Sequence, residues 1–224
     1  TFSSDAPANN PLTQYNLTTT AYGPGLGARA WFYDYIGLDL DYGLRLGSPI
    51  NLQLEDGTEV ALASTQQRVM VHLLGRYALD AGKRPTWFGV SVGFLLHSIF
   101  IQEVVVDEVP SPLFPTNTYN GVRLGVEGAV AAGPAEIFFG GWFILGALDQ
   151  GEYLSGSVTG STLFAAEAGV DLELAEGFGW YAKGTIESYA ITFTGDSARH
   201  PDITAAQNGD QFISGTTGVS WRPF

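Results

Sequence analysis

Large apolar residues alternate with small or charged residues along most of the chain, most clearly over residues 36–46. There, every even position from Ile36 to Leu46 carries a large apolar or aromatic side chain, and every odd position is glycine, aspartate or arginine. Successive side chains of a β-strand point to opposite faces of the sheet. The pattern therefore predicts a strand with one apolar face and one polar face.

The same two-residue period recurs in segments separated by turn-forming residues, and it predicts an all-β chain. We expect ten strands, at residues 13–22, 25–33, 35–47, 65–79, 87–105, 121–132, 135–148, 162–174, 178–194 and 211–222. Residues 1–12 are polar and contain proline, which favours a flexible lead-in. No linker interrupts residues 13–224, so they are expected to form one domain.

The predicted connections alternate in length. The short ones lie at residues 34–35, 81–85, 133–134 and 175–177, and the long ones at 48–64, 106–120, 149–161 and 195–210. The segment 48–64 is itself a candidate hairpin that turns at residues 55–58. Short turns at one end and long loops at the other are typical of transmembrane β-barrels.

The apolar face could fill a soluble, lipocalin-like barrel or face lipid. A barrel of eight to ten strands has a narrow interior, and the apolar residues are bulky along several whole strands. The charged face, in contrast, contains many glycines and alanines, which suit a narrow lumen. We therefore expect the apolar face to meet lipid, with an interfacial aromatic girdle. Its predicted members are Trp31, Tyr33, Tyr35, Trp87, Trp180, Tyr181 and Trp221.

Two segments, residues 25–39 and residues 218–224, resemble bacterial outer-membrane β-barrel proteins of the small OmpA-like or OmpW-like kind. The first has the strand–turn–strand pattern of that class, and the second resembles its terminal strand. The resemblance implies a closed antiparallel up-and-down transmembrane barrel with an even number of strands, ten or alternatively eight. It also implies that assembly machinery recognises the last strand through Trp221 and the final Phe224. Pro223 and the three-residue spacing from Trp221 to Phe224 depart from the family pattern.

Composition narrows the possible partners and compartment. The formal net charge of −13 argues against nucleic acid as a partner. The chain contains no cysteine, and its beginning lacks a basic region followed by an apolar stretch. We expect an integral protein of a Gram-negative outer membrane whose signal peptide has been removed, in contact with lipid and lipopolysaccharide. A cytosolic protein is the other interpretation of that beginning.

If the apolar face meets lipid, sixteen ionisable residues line the lumen. They are Arg29, Asp39, Asp41, Arg45, Arg68, His72, Arg76, His97, Arg123, Glu127, Glu136, Glu167, Asp171, Glu173, Lys183 and Glu187. Buried charges persist only when they are paired and hydrogen-bonded. We expect Asp39 or Asp41 to pair with Arg68 or Arg76, and Arg123 to pair with Glu127 or Glu136.

Three functions are compatible with this interior. A balanced, charge-filled lumen favours a plugged barrel with a structural, anchoring or partner-binding role, in which the long loops contact the partner protein. A narrow hydrophilic, porin-like channel is the alternative. The third is a hydrolase with His200 near Asp196, Asp202 and Asp210 at the rim. We expect no cofactor, no metal and no catalytic residue for the first of these.

Overall fold

The computed structural model describes most of the chain and contains only β-strands as regular secondary structure within the described residues. These are residues 2–4, 16–17, 20–53, 59–80, 84–102, 104–106, 109–111, 117–149, 157–194 and 205–221. The strands are β1 (Phe2–Ser4), β2 (Asn16–Leu17), β3 (Ala21–Tyr22), β4 (Gly25–Tyr33), β5 (Ile36–Gln53), β6 (Glu59–Ala78), β7 (Trp87–Ile101), β8 (Val104–Val106), β9 (Val109–Ser111), β10 (Asn117–Ala132), β11 (Ala135–Asp149), β12 (Ser157–Ala175), β13 (Phe178–Thr194) and β14 (Ala205–Trp221). No helix in the described part of the chain is long and apolar enough to cross a membrane.

Twelve of these strands form one antiparallel sheet in up-and-down order. The sheet runs β2-β1-β14-β13-β12-β11-β10-β7-β6-β5-β3, and β4 also pairs with β5. Two of the twelve, β2 and β3, are only two residues long and lie at opposite edges of the sheet. The sheet then has ten antiparallel strands. The remaining pair, β8 and β9, forms a separate hairpin.

The sheet is curled, so that side chains from distant strands meet on its inner face. Arg68 lies on β6 and Glu187 lies on β13, five strands away in the sheet order. In a flat sheet, five strand spacings would separate them by about 24 Å. Their side chains are instead 2.5 Å apart. The inner face is therefore a narrow concave space lined by several strands.

The predicted strands are confirmed, with differences at their ends. Most run longer than expected: β5 and β6 extend through the predicted 48–64 connection and pair up to Gln53 and Glu59. This confirms the hairpin there, whose turn lies outside the described residues. The strand predicted at 87–105 ends earlier, at Ile101, and the one predicted at 13–22 is represented by β2 and β3. The predicted lead-in contains β1, which pairs with β14.

Two of the short connections are tight turns with glycine in a left-handed conformation. Gly133 has φ of 64° and Gly177 has φ of 77°. Side chains with a Cβ rarely adopt such angles, so glycine permits these turns at little cost. They join β10 to β11 and β12 to β13 at the same end of the sheet, here called the short-turn end.

The outer face of the sheet is apolar and exposed, as the alternation predicts. On β7, for example, Phe88, Val90, Val92 and Phe94 are each 44–64% exposed, whereas Trp87, Ser91 and Leu95, at odd positions of the same strand, are buried. Exposed large apolar side chains occur in the same alternation on β4, β5, β6, β10, β11, β12, β13 and β14. The ionisable side chains of the sheet therefore lie mainly on its inner face, and its outer face is apolar.

Candidate functional site

The inner face collects the ionisable residues that the sequence assigned to it. Seven of the sixteen are buried: Arg68, His72, His97, Arg123, Glu127, Asp171 and Glu187. They come from β6, β7, β10, β12 and β13, and the curvature of the sheet brings them together. This inner face is the candidate functional site.

Glu187 is the centre of the buried network. Its carboxylate lies 2.5 Å from the Arg68 guanidinium and 3.4 Å from Nδ1 of His97. The Tyr189 hydroxyl donates a hydrogen bond to the same carboxylate at 3.2 Å. Arg68 also lies 3.7 Å from Asp41, so it is neutralised from two sides. These contacts lock four strands together across the interior.

A second group of ion pairs adjoins this centre. Lys183 lies 3.3 Å from Glu167 and 3.8 Å from Asp41. Through Asp41, which also faces Arg68, this group is continuous with the Glu187 network. The interior charges from β5, β6, β12 and β13 therefore form one connected set.

Arg29 and Arg84 close the network toward the short-turn end. Arg29 lies 2.8 Å from Asp39 and 3.3 Å from Glu127. Arg84, which follows β6 in a connecting segment, lies 3.3 Å from both Asp171 and Glu173. Arg84 was not among the predicted lumen residues, because it falls in the short connection predicted at 81–85. Its position shows that a turn residue folds back over the end of the interior.

The opposite part of the interior is aromatic and apolar, which the sequence pattern did not predict. Tyr119 and Tyr189 stack with ring centroids 4.3 Å apart, and the ring of Phe212 lies 4.7 Å from that of His97. The buried cluster here comprises Met70, Leu95, Tyr119, Trp142, Ile144, Leu163, Ala165, Tyr189 and Ile191. The Tyr119 hydroxyl and the Asn117 amide both donate to Asp210. The interior is thus filled by ring stacks as well as by charges.

Arg123 differs from the other buried charges, because no acidic side chain contacts it among the described residues. Its guanidinium stacks on the ring of Trp142 at 4.0 Å, and Nη1 lies 3.3 Å from Nε2 of His72. The sulfur of Met70 also contacts Nη1. Its Nε and Nη2 atoms are buried and have no hydrogen-bond partner in the described part of the chain.

The observed ion pairs match the expected ones only in part. Asp41 faces Arg68, as predicted, but Asp39 pairs with Arg29. Glu127 also contacts Arg29 and does not pair with Arg123. This corrects the predicted Arg123 pairing, which rested on the interleaving of opposite charges on neighbouring strands.

Three further predicted lumen residues have other surroundings. Arg76 donates a hydrogen bond to the Asp34 carbonyl oxygen at 2.7 Å and stacks on Trp31 at 3.8 Å. Arg45 is half-buried and, within the described residues, has no ion pair within 4 Å. Glu136 is half-buried near the short-turn end of β11.

The predicted aromatic girdle divides into outward and inward residues. Tyr33, Tyr35, Trp180 and Trp221 are 41–66% exposed. Trp31 and Trp87, in contrast, point inward and contact each other edge-on at 5.8 Å. The girdle assignment of these two is therefore corrected, because the alternation of β4 and β7 places both on the inner face.

The last residues of the predicted aromatic girdle and assembly signal are Tyr181, Trp221 and Phe224. Tyr181 is half-buried beside Gly218, since a Cβ at that glycine would meet its ring. Trp221 ends β14. Phe224, the other residue of the predicted assembly signal, lies outside the described residues.

The rim residues suggested for a hydrolase do not form a described site. His200, Asp196 and Asp202 lie outside the described residues. Asp210 is buried and is held by Tyr119 and Asn117. Among the described residues, no three histidine, aspartate or glutamate side chains are grouped to hold a metal ion.

Comparisons of the chain with protein-family models, curated proteins and solved structures gave no match.

Proposed function

We propose that this chain is an integral outer-membrane β-barrel with a plugged interior, acting as a structural, anchoring or partner-binding component of the membrane. The observation that carries the proposal is the inverted polarity of the sheet. Large apolar side chains are exposed along nine strands, while Arg123, Glu187 and His97 are at most 3% exposed inside. A soluble monomer rarely exposes an apolar patch larger than a few hundred Å². In a lipid environment these apolar side chains would not be exposed to water.

Pairing at the two edges of the sheet supports closure of the barrel. At one edge, β2 pairs with β1, which pairs with β14. At the other edge, β3 pairs with β5. Leu17 of β2 and Ala21 of β3 are four residues apart. Even a fully extended chain of that length spans only about 15 Å, so the two edges lie within that distance of each other at these residues. A closed barrel would leave no backbone group unpaired in lipid.

The filled interior favours a plug over a pore. The Arg68–Glu187 contact crosses the interior, and the stacked Tyr119 and Tyr189 rings occupy it beyond that contact. Both tyrosines are 1% exposed, which is too little for a continuous water path beside them. A barrel without a path for solutes works through its surface and loops.

The proposed contacts of the barrel follow from this role. Its apolar outer face would meet lipid and, on the outer leaflet, lipopolysaccharide. The long connections at 106–120 and 149–161 would contact a partner protein, and the last strand with Trp221 and Phe224 would be recognised by the assembly machinery. Phe224 and about half of the residues in these two connections lie outside the described residues, and residues 117–120 belong to β10.

Conductance of the purified protein in planar lipid bilayers tests this proposal. We expect no stepwise current from the wild-type protein, because charged and aromatic side chains block the interior. A Tyr119→Ala/Tyr189→Ala variant should conduct if it removes the block, and it serves as the positive control. Regular stepwise openings of the wild-type protein would contradict the plug and establish the alternative, a narrow porin-like channel.

A further inference from the structure

The long strands of the sheet leave a position between β4 and β14. Following the antiparallel pairs from β4 through β5, β6, β7, β10, β11, β12 and β13 to β14 gives nine strands, which is an odd number. β4 and β14 therefore both run toward the short-turn end, and within the described residues they do not pair with each other. A strand that runs in the opposite direction would be antiparallel to both of them.

β1 occupies only one end of that position. It pairs with β14 at residues 208–210 and with β2, from which the chain leads through β3 into β4. β1 is three residues long and runs away from the short-turn end. Among the described strands, β4 and residues 211–221 of β14 therefore have a neighbour on one side only. The space between these two edges is here called the slot.

The side chains beside the slot are more exposed than those in the middle of the sheet. Leu26, Ile213 and Val219 on the outer face are 75–78% exposed, whereas Val92 of β7 and Leu124 of β10 are 42–44% exposed. Eight of the nine residues of β4 are exposed, on both faces of the strand. A neighbouring strand would cover the sides of these residues. The exposure therefore agrees with a missing strand.

The chemistry of the slot describes a strand that would fit it. Its edges present backbone N–H and C=O groups, which are strongly unfavourable in lipid when they are unpaired. Apolar Leu26 and Ile213 flank it on the outer face. Small, uncharged residues flank it on the inner face, namely Gly27, Ser214 and Thr216. An extended segment of about nine residues, in which apolar residues alternate with small uncharged ones, matches both faces.

This chain does not supply such a strand well. Residues 5–15, which lie between β1 and β2, contain Pro7 and Pro11, and proline cannot donate to a strand ladder. In one membrane, a second copy would have the same orientation, so its β4 and β14 edges would also run toward the short-turn end. They would meet the slot in parallel, whereas all described pairs of the sheet are antiparallel.

We propose that the slot binds an extended strand of a partner protein, which runs away from the short-turn end and pairs with both β4 and β14. Strand addition gives affinity through main-chain hydrogen bonds and specificity through alternate side chains. The partner strand would extend the position that β1 begins and complete the ring of strands. This inference rests on the proposed partner-binding role and names the kind of partner.

Paired cysteines measure the width of the slot. An empty position separates the Cα atoms of β4 and β14 by two strand spacings, about 10 Å, and a disulfide needs Cα atoms within about 7 Å. We expect no disulfide when Ala28→Cys is combined with Gly215→Cys, Thr217→Cys or Val219→Cys, and a thiol cross-linker with a spacer of similar length should join at least one pair. A disulfide in any of the three would show that β4 and β14 pair directly and would overturn the proposal.

Ala182→Cys with Thr217→Cys is the matched control for this measurement. These two residues are direct partners on β13 and β14, so their cysteines should form a disulfide. The control uses the same β14 position and differs only in the strand that it faces.

A probe peptide tests whether the slot binds a strand. The probe is a capped nine-residue peptide of alternating valine and threonine with one central cysteine, added to the protein in detergent micelles. We expect it to form a mixed disulfide with Ala28→Cys and with Thr217→Cys about tenfold faster than with Val92→Cys, after correction for reactivity toward a small thiol reagent, because binding raises its local concentration. Val92 is the control because it lies on the outer face with a strand on both sides.

Equal corrected rates at the three positions would overturn the proposal. Faster disulfide-linked dimerisation of Thr217→Cys than reaction with the peptide would also overturn it, in favour of a second copy. The same peptide with proline in place of threonine should show no preference, because it cannot donate the ladder hydrogen bonds.

Hydrogen–deuterium exchange on the wild-type protein tests the slot without any substitution. A cysteine-free valine–threonine peptide should slow exchange of the backbone amides in residues 25–33 and 211–221. Unchanged exchange in both segments at saturating peptide would contradict strand addition. These measurements do not depend on conductance, so the slot can fail while the plugged barrel stands, and the reverse.

Discussion

Arg68 and Arg123 are buried cations of the inner face, and contacts across the curled sheet decide what each of them meets. Both were assigned to the polar face by the two-residue period, and both are buried there. Their partners could not be predicted, because Glu187 reaches Arg68 across the curled sheet from a strand far along the chain. Arg123 ends up against Trp142, which the sequence pattern did not single out. The two-residue alternation predicts which face of the sheet a side chain lies on. The curvature of the sheet decides which side chains of that face contact each other.

The Glu187 carboxylate should be the most sensitive position of the interior. Glu187→Gln removes the charge that faces Arg68 and His97, so Arg68 keeps only Asp41 at 3.7 Å. Breaking a buried ion pair by removing one partner costs about 3–5 kcal/mol. Because Asp41 remains, we expect a loss near the lower end, about 3 kcal/mol, in urea unfolding.

Glu173→Gln is the matched control for that measurement. Glu173 pairs with Arg84 at 3.3 Å, but its side chain is 38% exposed. Exposed pairs contribute little, so this variant should lose less than about 1 kcal/mol. Equal losses in the two variants would show that the Glu187 network does not stabilise the interior.

At the scale of the strands, the alternation predicts where strands lie better than where they end. In β5 the even positions face outward up to Leu46, which is 56% exposed, but Ile50 is 8% exposed. The register shifts between Gly47 and Ile50, so the phase of the alternation changes there. An alternation in which even positions always face outward therefore predicts a strand that ends at residue 47, although β5 continues to Gln53.

The outer face of β7 distinguishes a membrane barrel from a soluble one. Val92 is 44% exposed and lies five residues into the strand. At about 3.3 Å per residue and a tilt of about 40°, it is about 13 Å from the short-turn end, near the middle of a ~25 Å apolar band. Val92→Arg should destabilise the protein in lipid vesicles by about 2–4 kcal/mol.

Leu79→Arg is the control at the edge of the same band. Leu79 is 61% exposed just beyond the end of β6, so the charge would lie near the interface and cost about 0–1 kcal/mol. A neutral effect of Val92→Arg, as expected for a water-exposed side chain, would show that the outer face does not meet lipid.

At the scale of the whole molecule, the inverted polarity was predictable and the filling of the interior was not. Residue sizes and loop lengths along the sequence indicate an apolar outside, and the exposed outer face agrees with it. The sequence also predicts small residues between the lumen charges, yet Leu95, Tyr119 and Leu163 form a buried cluster there. Leu95 and Leu163 follow the same alternation as the lumen charges, each next to an outward phenylalanine, so large apolar side chains share the inner face with those charges. The biological partner depends on loops that the strand pattern does not specify.

Spin-label accessibility along β7 tests whether the outer face of the sheet lies in lipid. The chain has no cysteine, so single cysteines at Val90, Val92 and Phe94 can be labelled uniquely. In lipid vesicles we expect labels at these positions to be highly accessible to oxygen and poorly accessible to a water-soluble nickel chelate. High accessibility to the nickel chelate at all three positions would contradict the account.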